Sequence, residues 1–244
     1  MRRCVPPMLY LGLTAALSLI LLSPARLEVW QLSADRLTTT RFPASATPLT
    51  PVMTADLEPD GETESVTLAA GRAAIQRAGQ TLWESPAPWR VTQAAITDLN
   101  QDAQLEVALL VWRPFAPWPI DSYLPHPGRI SGFHDSRGQS CHLILIGWHQ
   151  QMYTELWAGS AMADPLTAFA TADLDGDGRQ ELAALESRYN ASGPAQFVTV
   201  WEWNGFGFTL VARGPDGRYA GLTPLRDPSG VNRLLVSRFP RSVK

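Results

Sequence analysis

Asp173-Leu174-Asp175-Gly176-Asp177-Gly178-Arg179-Gln180-Glu181 is the stretch on which the reading of this chain turns. Asp173, Asp175 and Asp177 alternate, a glycine follows the third, and Glu181 closes the run. Ca²⁺ is a hard cation that takes six to eight oxygen ligands in flexible geometry, so alternate carboxylates in a tight loop converge readily on one ion. Gly178 supplies the positive φ of the turn. Arg179 would offer its backbone carbonyl, and Glu181 two oxygens where the chain leaves the loop. An EF-hand loop closes with Glu at position twelve, between helices. Here the Glu stands at position nine, and the flanks 169–172 and 182–185 are short and apolar. The pattern is strand, loop, strand, with structural Ca²⁺ as the expected cofactor.

The loop recurs. Asp98, Asn100, Asp102 and Glu106 keep its side-chain oxygen positions, with Ala103 in place of the glycine. Asp56, Asp60 and Glu64 keep the frame again, with a longer Glu58 in second place and Gly61 in the turn. A worn copy spans 225–233 and leads into the apolar Leu234-Leu235-Val236. Repeats of roughly 40–50 residues point to propellers, solenoids or arrays. The starts at 56, 98, 173 and 225 are 42, 75 and 52 apart, so the long step holds an insertion, 113–140. Trp83 and Trp157 precede the loops at 98 and 173 by 15 and 16 residues, which marks a duplicated unit.

Apolar runs of period two, bounded by Gly, Pro, Asn or Asp, read as strands. They fall at 65–70, 73–77 and 81–84; at 106–112, 142–148 and 152–157; and at 181–186, 197–203 and 208–212, with Asn204-Gly205 turning the last pair. Each unit has four strands once the approach to its loop is counted. The last unit holds only 222–225 and 234–239; strands at 27–32 and 36–41 are the candidates to complete it. The expectation is an all-β chain, a β-propeller of four-stranded blades and about four of them, with an N-terminal signal or anchor helix. The Thr/Pro/Ser-rich stretch 38–51 reads as a loop or linker.

These Asp-x-Asp-x-Asp-Gly-x-x-Glu loops, each followed by an apolar strand, resemble the FG-GAP/VCBS-like repeats, the blade repeats of integrin α-subunit-type propellers and of many exported bacterial proteins. The resemblance covers about 53–240. It implies a propeller with Ca²⁺ in its inter-strand loops, carried onto Asp173, Asp175, Asp177 and Glu181, then Asp98, Asn100, Asp102 and Glu106, then Asp56, Asp60 and Glu64. It implies no single activity, because the repeat serves adhesion, ligand binding and enzymes alike.

The 244 residues are 45% hydrophobic with a net charge of −3, and no basic stripe is present to contact phosphates, which argues against nucleic-acid binding. Arg2 and Arg3 precede an apolar run, 5–22, so residues 1–25 read as a signal peptide or a membrane anchor. Either way the body is exported: cell surface, periplasmic or extracellular. Cys4 and Cys141 form no framework. The segment 26–52 supplies N-terminal strands or a linker, and 53–240 the repeat domain.

Long loops without secondary structure tend to be functional or disordered, and the insertion is too rich in proline and aromatics for disorder. Trp118 and Tyr123 suit stacking on a glycan or filling a partner's pocket, and Arg129 suits a carboxylate. His126, His134 and Asp135 are the candidates for acid–base or polar contacts. Two function classes follow: a binding or interaction module with a protein or glycan ligand, or an exported polysaccharide hydrolase or lyase sited near the insertion. The first is favoured, because the repeat loops use most of the acidic residues. A purely structural envelope domain is a third reading.

Overall fold

The computed structural model describes residues 25–117 and 132–240. The expected N-terminal helix lies outside the described residues, as do Trp118, Tyr123, His126 and Arg129. Among the described residues no helix is long and apolar enough to cross a membrane.

The described chain is all-β. It opens with β1 (Arg26–Ser33), β2 (Arg36–Thr40) and β3 (Thr47–Pro48). Three antiparallel meanders follow. Sheet I comprises β4 (Thr54–Ala55), β5 (Glu64–Ala69), β6 (Arg72–Arg77) and β7 (Gln80–Glu84), in that order. Sheet II comprises β8 (Arg90–Thr97), β9 (Glu106–Pro114), β10 (Gln139–His149) and β11 (Met152–Ala158). Sheet III comprises β12 (Leu166–Ala172), β13 (Glu181–Glu186), β14 (Phe197–Trp203) and β15 (Phe208–Arg213). Sheet IV mixes the two ends of the described chain. Its β16 (Tyr219–Arg226) and β17 (Asn232–Arg238) are joined by β1 and β2, in the order β2-β1-β17-β16-β3. Four antiparallel sheets so arranged make a four-bladed, β-propeller-like fold.

Side-chain alternation explains the packing. On β9, Val107, Leu109 and Val111 face sheet I, while Ala108 and Leu110 face sheet III. On β10, Ile144 and Ile146 share the first core; Cys141, Leu143 and Leu145 share the second. On β13, Leu182 and Ala184 meet sheet II, while Ala183 and Leu185 meet sheet IV. Sheets II and III are thus covered on both faces, and their central strands read as unbroken apolar runs. Each fully buried Leu, Ile or Val stabilises the stack by about 1.5–3 kcal/mol relative to exposure. The third core, between sheets III and IV, is seated on Trp30, whose ring meets Tyr219 edge-on with centroids 5.7 Å apart. A Cβ on Gly214 would lie 2.1 Å from that indole, so the position admits no larger residue.

The stretch 38–51 differs from its reading as a loop or linker. Residues 38–40 belong to β2, and Thr47–Pro48 forms β3. From there the chain laces three sheets together. Leu49 N donates to Pro224 O of sheet IV, Ile96 N of sheet II donates to Val52 O, and Val66 N of sheet I donates to Met53 O, each at 2.8 Å. Proline fits here because the strap is an edge whose inner N–H groups are not all needed for pairing. The strap, β8, β12 and β16 together line an axial cavity of about 590 Å³.

Candidate functional site

Four loops join paired neighbouring strands, one in each sheet: β4–β5, β8–β9, β12–β13 and β16–β17. Three share one hydrogen-bond frame. The closing glutamate turns back and accepts the backbone N–H of the loop's second residue: Leu57 to Glu64 at 2.8 Å, Leu99 to Glu106 at 2.7 Å and Leu174 to Glu181 at 2.6 Å. The first aspartate accepts the N–H of the sixth residue: Gly61 to Asp56 at 2.9 Å, Ala103 to Asp98 at 3.2 Å and Gly178 to Asp173 at 3.1 Å. The fifth accepts the N–H of the seventh: Glu62 to Asp60, Gln104 to Asp102 and Arg179 to Asp177, at 3.0, 2.9 and 2.8 Å. The leucines are buried, so each loop is pinned by one apolar residue while its oxygens gather. The sixth residue has positive φ throughout: 85° at Gly61, 64° at Ala103 and 89° at Gly178.

The loops differ in what neutralises them. Two Ca²⁺ ligands at 2.3–2.6 Å from the ion stand at most about 5 Å apart. Carboxylate oxygens of Asp173, Asp175 and Asp177 lie within 4.8 Å of one another, as do those of Asp98, Asp102 and Glu106. Both sets fit a Ca²⁺ ion. Glu106 is 1% exposed, and its Oε2 is buried with no hydrogen-bond partner among the described residues. Burial pushes the Glu106 carboxyl up to about 8, with Asp98 and Asp102 adding to the effect. Burial likewise pushes Glu181 up to about 7, helped by the three loop aspartates. A cation would relieve both. Asn100 donates to Asp102 Oδ2 at 3.0 Å, a contact an ion in this loop would replace.

The loop at 56–64 carries its own cation. Arg77, at the end of β6, contacts Glu64 at 2.5 Å, Glu58 at 3.0 Å, Asp60 at 3.1 Å and Glu62 at 3.4 Å. Glu64 is fully buried beneath it. Its guanidinium contacts two of the three carboxylates that the expectation assigned to a metal, Asp60 and Glu64. In the worn fourth copy Asp227 likewise pairs with Arg233, and the Ser229 hydroxyl first, then Arg233, hold the Asp227 carboxyl below the usual range. Arg179 makes a lesser version, bridging Asp177 at 2.6 Å and Glu202 at 3.3 Å. Sequence reading missed Arg77 because the signal is pairing register: it stands one step beyond the Ser65–Gln76 pair, hence opposite Glu64.

Neighbouring loops touch at one end of the molecule. Arg179 donates to Gln101 Oε1 at 3.2 Å, Thr97 to Gln180 Oε1 at 2.5 Å, and Asn232 to Asp173 O at 2.8 Å. The described ends of the insertion, where it leaves β9 and enters β10, lie at the other end, about 30 Å away along a nine-residue strand. Its described part rests on sheet III, where Ser136 N donates to Asn190 Oδ1 at 2.6 Å. His134 packs on Phe115 with centroids 5.2 Å apart, and its Nδ1 lies 2.8 Å from the Asp135 carbonyl. Asp135 Oδ1 accepts from Arg137 N and Gln139 N, each at 2.9 Å. Both side chains are engaged in shaping this turn.

The chain matches no protein-family model and no curated relative. Among solved structures it is similar to BBS1N in complex with ARL6DN, in lead-soaked and mercury-soaked crystals. For each the identity is 10% and the TM-score 0.24, over 88% of this chain and 98% of that one. So loose an overlap carries no argument, and the fold rests on the sheet pairing itself.

Proposed function

We propose that the protein is an exported, calcium-stabilised β-propeller that serves as a binding or interaction module. The observation that carries the metal half is the shared loop frame, with two loops whose carboxylates gather within 4.8 Å and a third neutralised by Arg77. Calcium here is a fastener at one end of the stack. The opposite end, where Ser136 of the insertion is bonded to Asn190, is the one that receives a protein or glycan. The FG-GAP/VCBS resemblance and the basic, apolar N-terminus support placement outside the cytoplasm, cleaved or anchored.

The test combines calorimetry and binding. Calcium titrated into the chelator-treated full chain should saturate at two ions, with a rise in melting temperature. A glycan and protein array probed with and without Ca²⁺ should give hits that Trp118→Ala or Tyr123→Ala abolishes while the melting temperature holds. Hits that survive both substitutions would move the ligand site off the insertion; a chain that takes up no calcium would sink the metal half.

A further inference from the structure

A second cavity, of about 410 Å³, lies between sheets II and III, away from the axis and from the acidic loops. Its size falls in the range of small-molecule sites, about 300–1,000 Å³. Trp157, Trp201 and Phe208 contribute aromatic walls, and Met162, Leu166 and Leu182 aliphatic ones. Into these walls the fold sets Glu186, which is 5% exposed. Both hydrogen bonds its carboxylate accepts fall on Oε1: Thr199 Oγ1 at 2.7 Å and Trp201 Nε1 at 3.1 Å. No described residue donates to Oε2. Asp164 and Arg213 also line the cavity, and no ion pair among the described residues joins either of them to Glu186 or to each other. Arg213 is turned onto the Phe197 ring, its guanidinium carbon 3.6 Å from the centroid. Two carboxylates and one guanidinium leave the lining at net −1.

A carboxylate buried among apolar groups is costly unless a positive charge compensates it. Burial raises the Glu186 pKa and Asp164 adds to the rise; the Thr199 and Trp201 hydrogen bonds and the Arg213 charge offset only part of it. Elimination names the occupant. An anion would meet two carboxylates. A bare Ca²⁺ ion needs six or more oxygens, and the lining supplies neither those nor a His or Cys for a transition metal. A neutral apolar molecule would cover Oε2 and take water from it without giving it a partner. An organic cation with a compact apolar body answers the aromatic walls and both carboxylates, because aromatic faces attract cations and strengthen as water is excluded, and it meets one opposing charge, Arg213, which is turned onto Phe197.

The walls are also held in place before any ligand arrives. Trp157 donates from Nε1 to Phe206 O at 2.9 Å and meets Phe208 and Trp203 edge-on, with centroids 5.2 and 5.7 Å away. Beneath it lies Gly159, where a Cβ would come within 2.8 Å of the ring.

We propose that this inter-sheet cavity is a binding site for a small organic ammonium ion, with Glu186 as its charge partner and Trp157, Trp201 and Phe208 as its cage. The site is independent of the calcium loops.

The probe is choline, set against its neutral isostere 3,3-dimethylbutan-1-ol, titrated into the full chain in calcium and read by calorimetry and tryptophan fluorescence. Choline should saturate one site, and the isostere should bind at least tenfold more weakly. Glu186→Gln, which keeps an acceptor for Thr199 and Trp201, should weaken choline tenfold or more without changing the far-ultraviolet circular dichroism. Asp164→Asn, at a half-buried position, should weaken it severalfold, and it carries the test if Glu186→Gln does not fold. Equal binding of the isostere, choline binding indifferent to the substitution read, or no binding of choline each overturns the proposal.

Discussion

Arg77 Nε lies 2.5 Å from the fully buried Glu64 carboxylate, and the same guanidinium reaches three further acidic side chains of its loop. One position of register therefore decides how each acidic loop is neutralised. Opposite the closing glutamate, one step beyond the last registered pair, sheet I has Arg77, sheet II has Gly147 and sheet III has Glu202. Arg77→Met should lower the melting temperature by several degrees. Calcium should recover part of the loss, because Glu58, Asp60 and Glu64 become available to an ion. Thermal melts of the variant with and without calcium check this; a loss that calcium leaves untouched would show that this loop cannot hold a metal.

Chelation should destabilise the native chain by an amount set by two loops. A ligand that binds only the folded state stabilises it by RT ln(1 + [L]/Kd), so calcium tenfold above Kd contributes about 1.4 kcal/mol per site. Two sites give about 3 kcal/mol, or roughly 6–12 °C in a domain of this size. Excess EDTA in a differential scanning experiment measures it directly. An unchanged melting temperature would remove the metal.

Ala103 holds the backbone position that Gly61 and Gly178 hold in the sister loops, at φ 64°. An L-residue with a Cβ pays about 1 kcal/mol there, a cost glycine does not carry. Ala103→Gly should therefore stabilise the protein by about 1 kcal/mol in urea unfolding and tighten calcium binding at the second loop.

His142 lies buried on β10, its Nδ1–H donating to Gly159 O at 2.8 Å and its Nε2 accepting from Ser140 Oγ at 2.7 Å. Burial pushes its pKa down to about 4 from the ordinary 6.5. The unfolded chain then binds a proton that the folded chain refuses. Its contribution is complete above pH 6.5 and is lost as pH falls from there toward 4, by up to about 3 kcal/mol. Urea midpoints of the wild type should fall between pH 7 and pH 5 more steeply than those of His142→Leu.

Much of the fold was legible because its signals are local. The strands of sheets I to III announce themselves by alternation and by the turns that bound them, and the acidic loops by their spacing. What the sequence did not disclose depends on partners distant along the chain. Thr47 and Pro48 look like linker residues, and only pairing with Arg226 and Leu225 makes them a strand. Arg77 looks like a polar strand end until register sets it over Glu64. Glu186 reads as the last residue of an apolar strand, and its surroundings come from Asp164, Thr199 and Arg213, on three other segments. The described part of the insertion shows how such a segment is anchored: Asp135, a candidate for proton transfer by residue type, spends Oδ1 on its own turn.

Sheet IV has a mechanical consequence. Arg26 and Arg238 face each other at the same end of the β1–β17 pair. A pull applied between Arg26 and Arg238 would open that pair one hydrogen bond at a time, from the corner inward, and would never load the ladder in shear. Held through β1 alone, the stack would bear force without that seam being drawn apart. Held through both β1 and β17, it would yield first where those two strands meet.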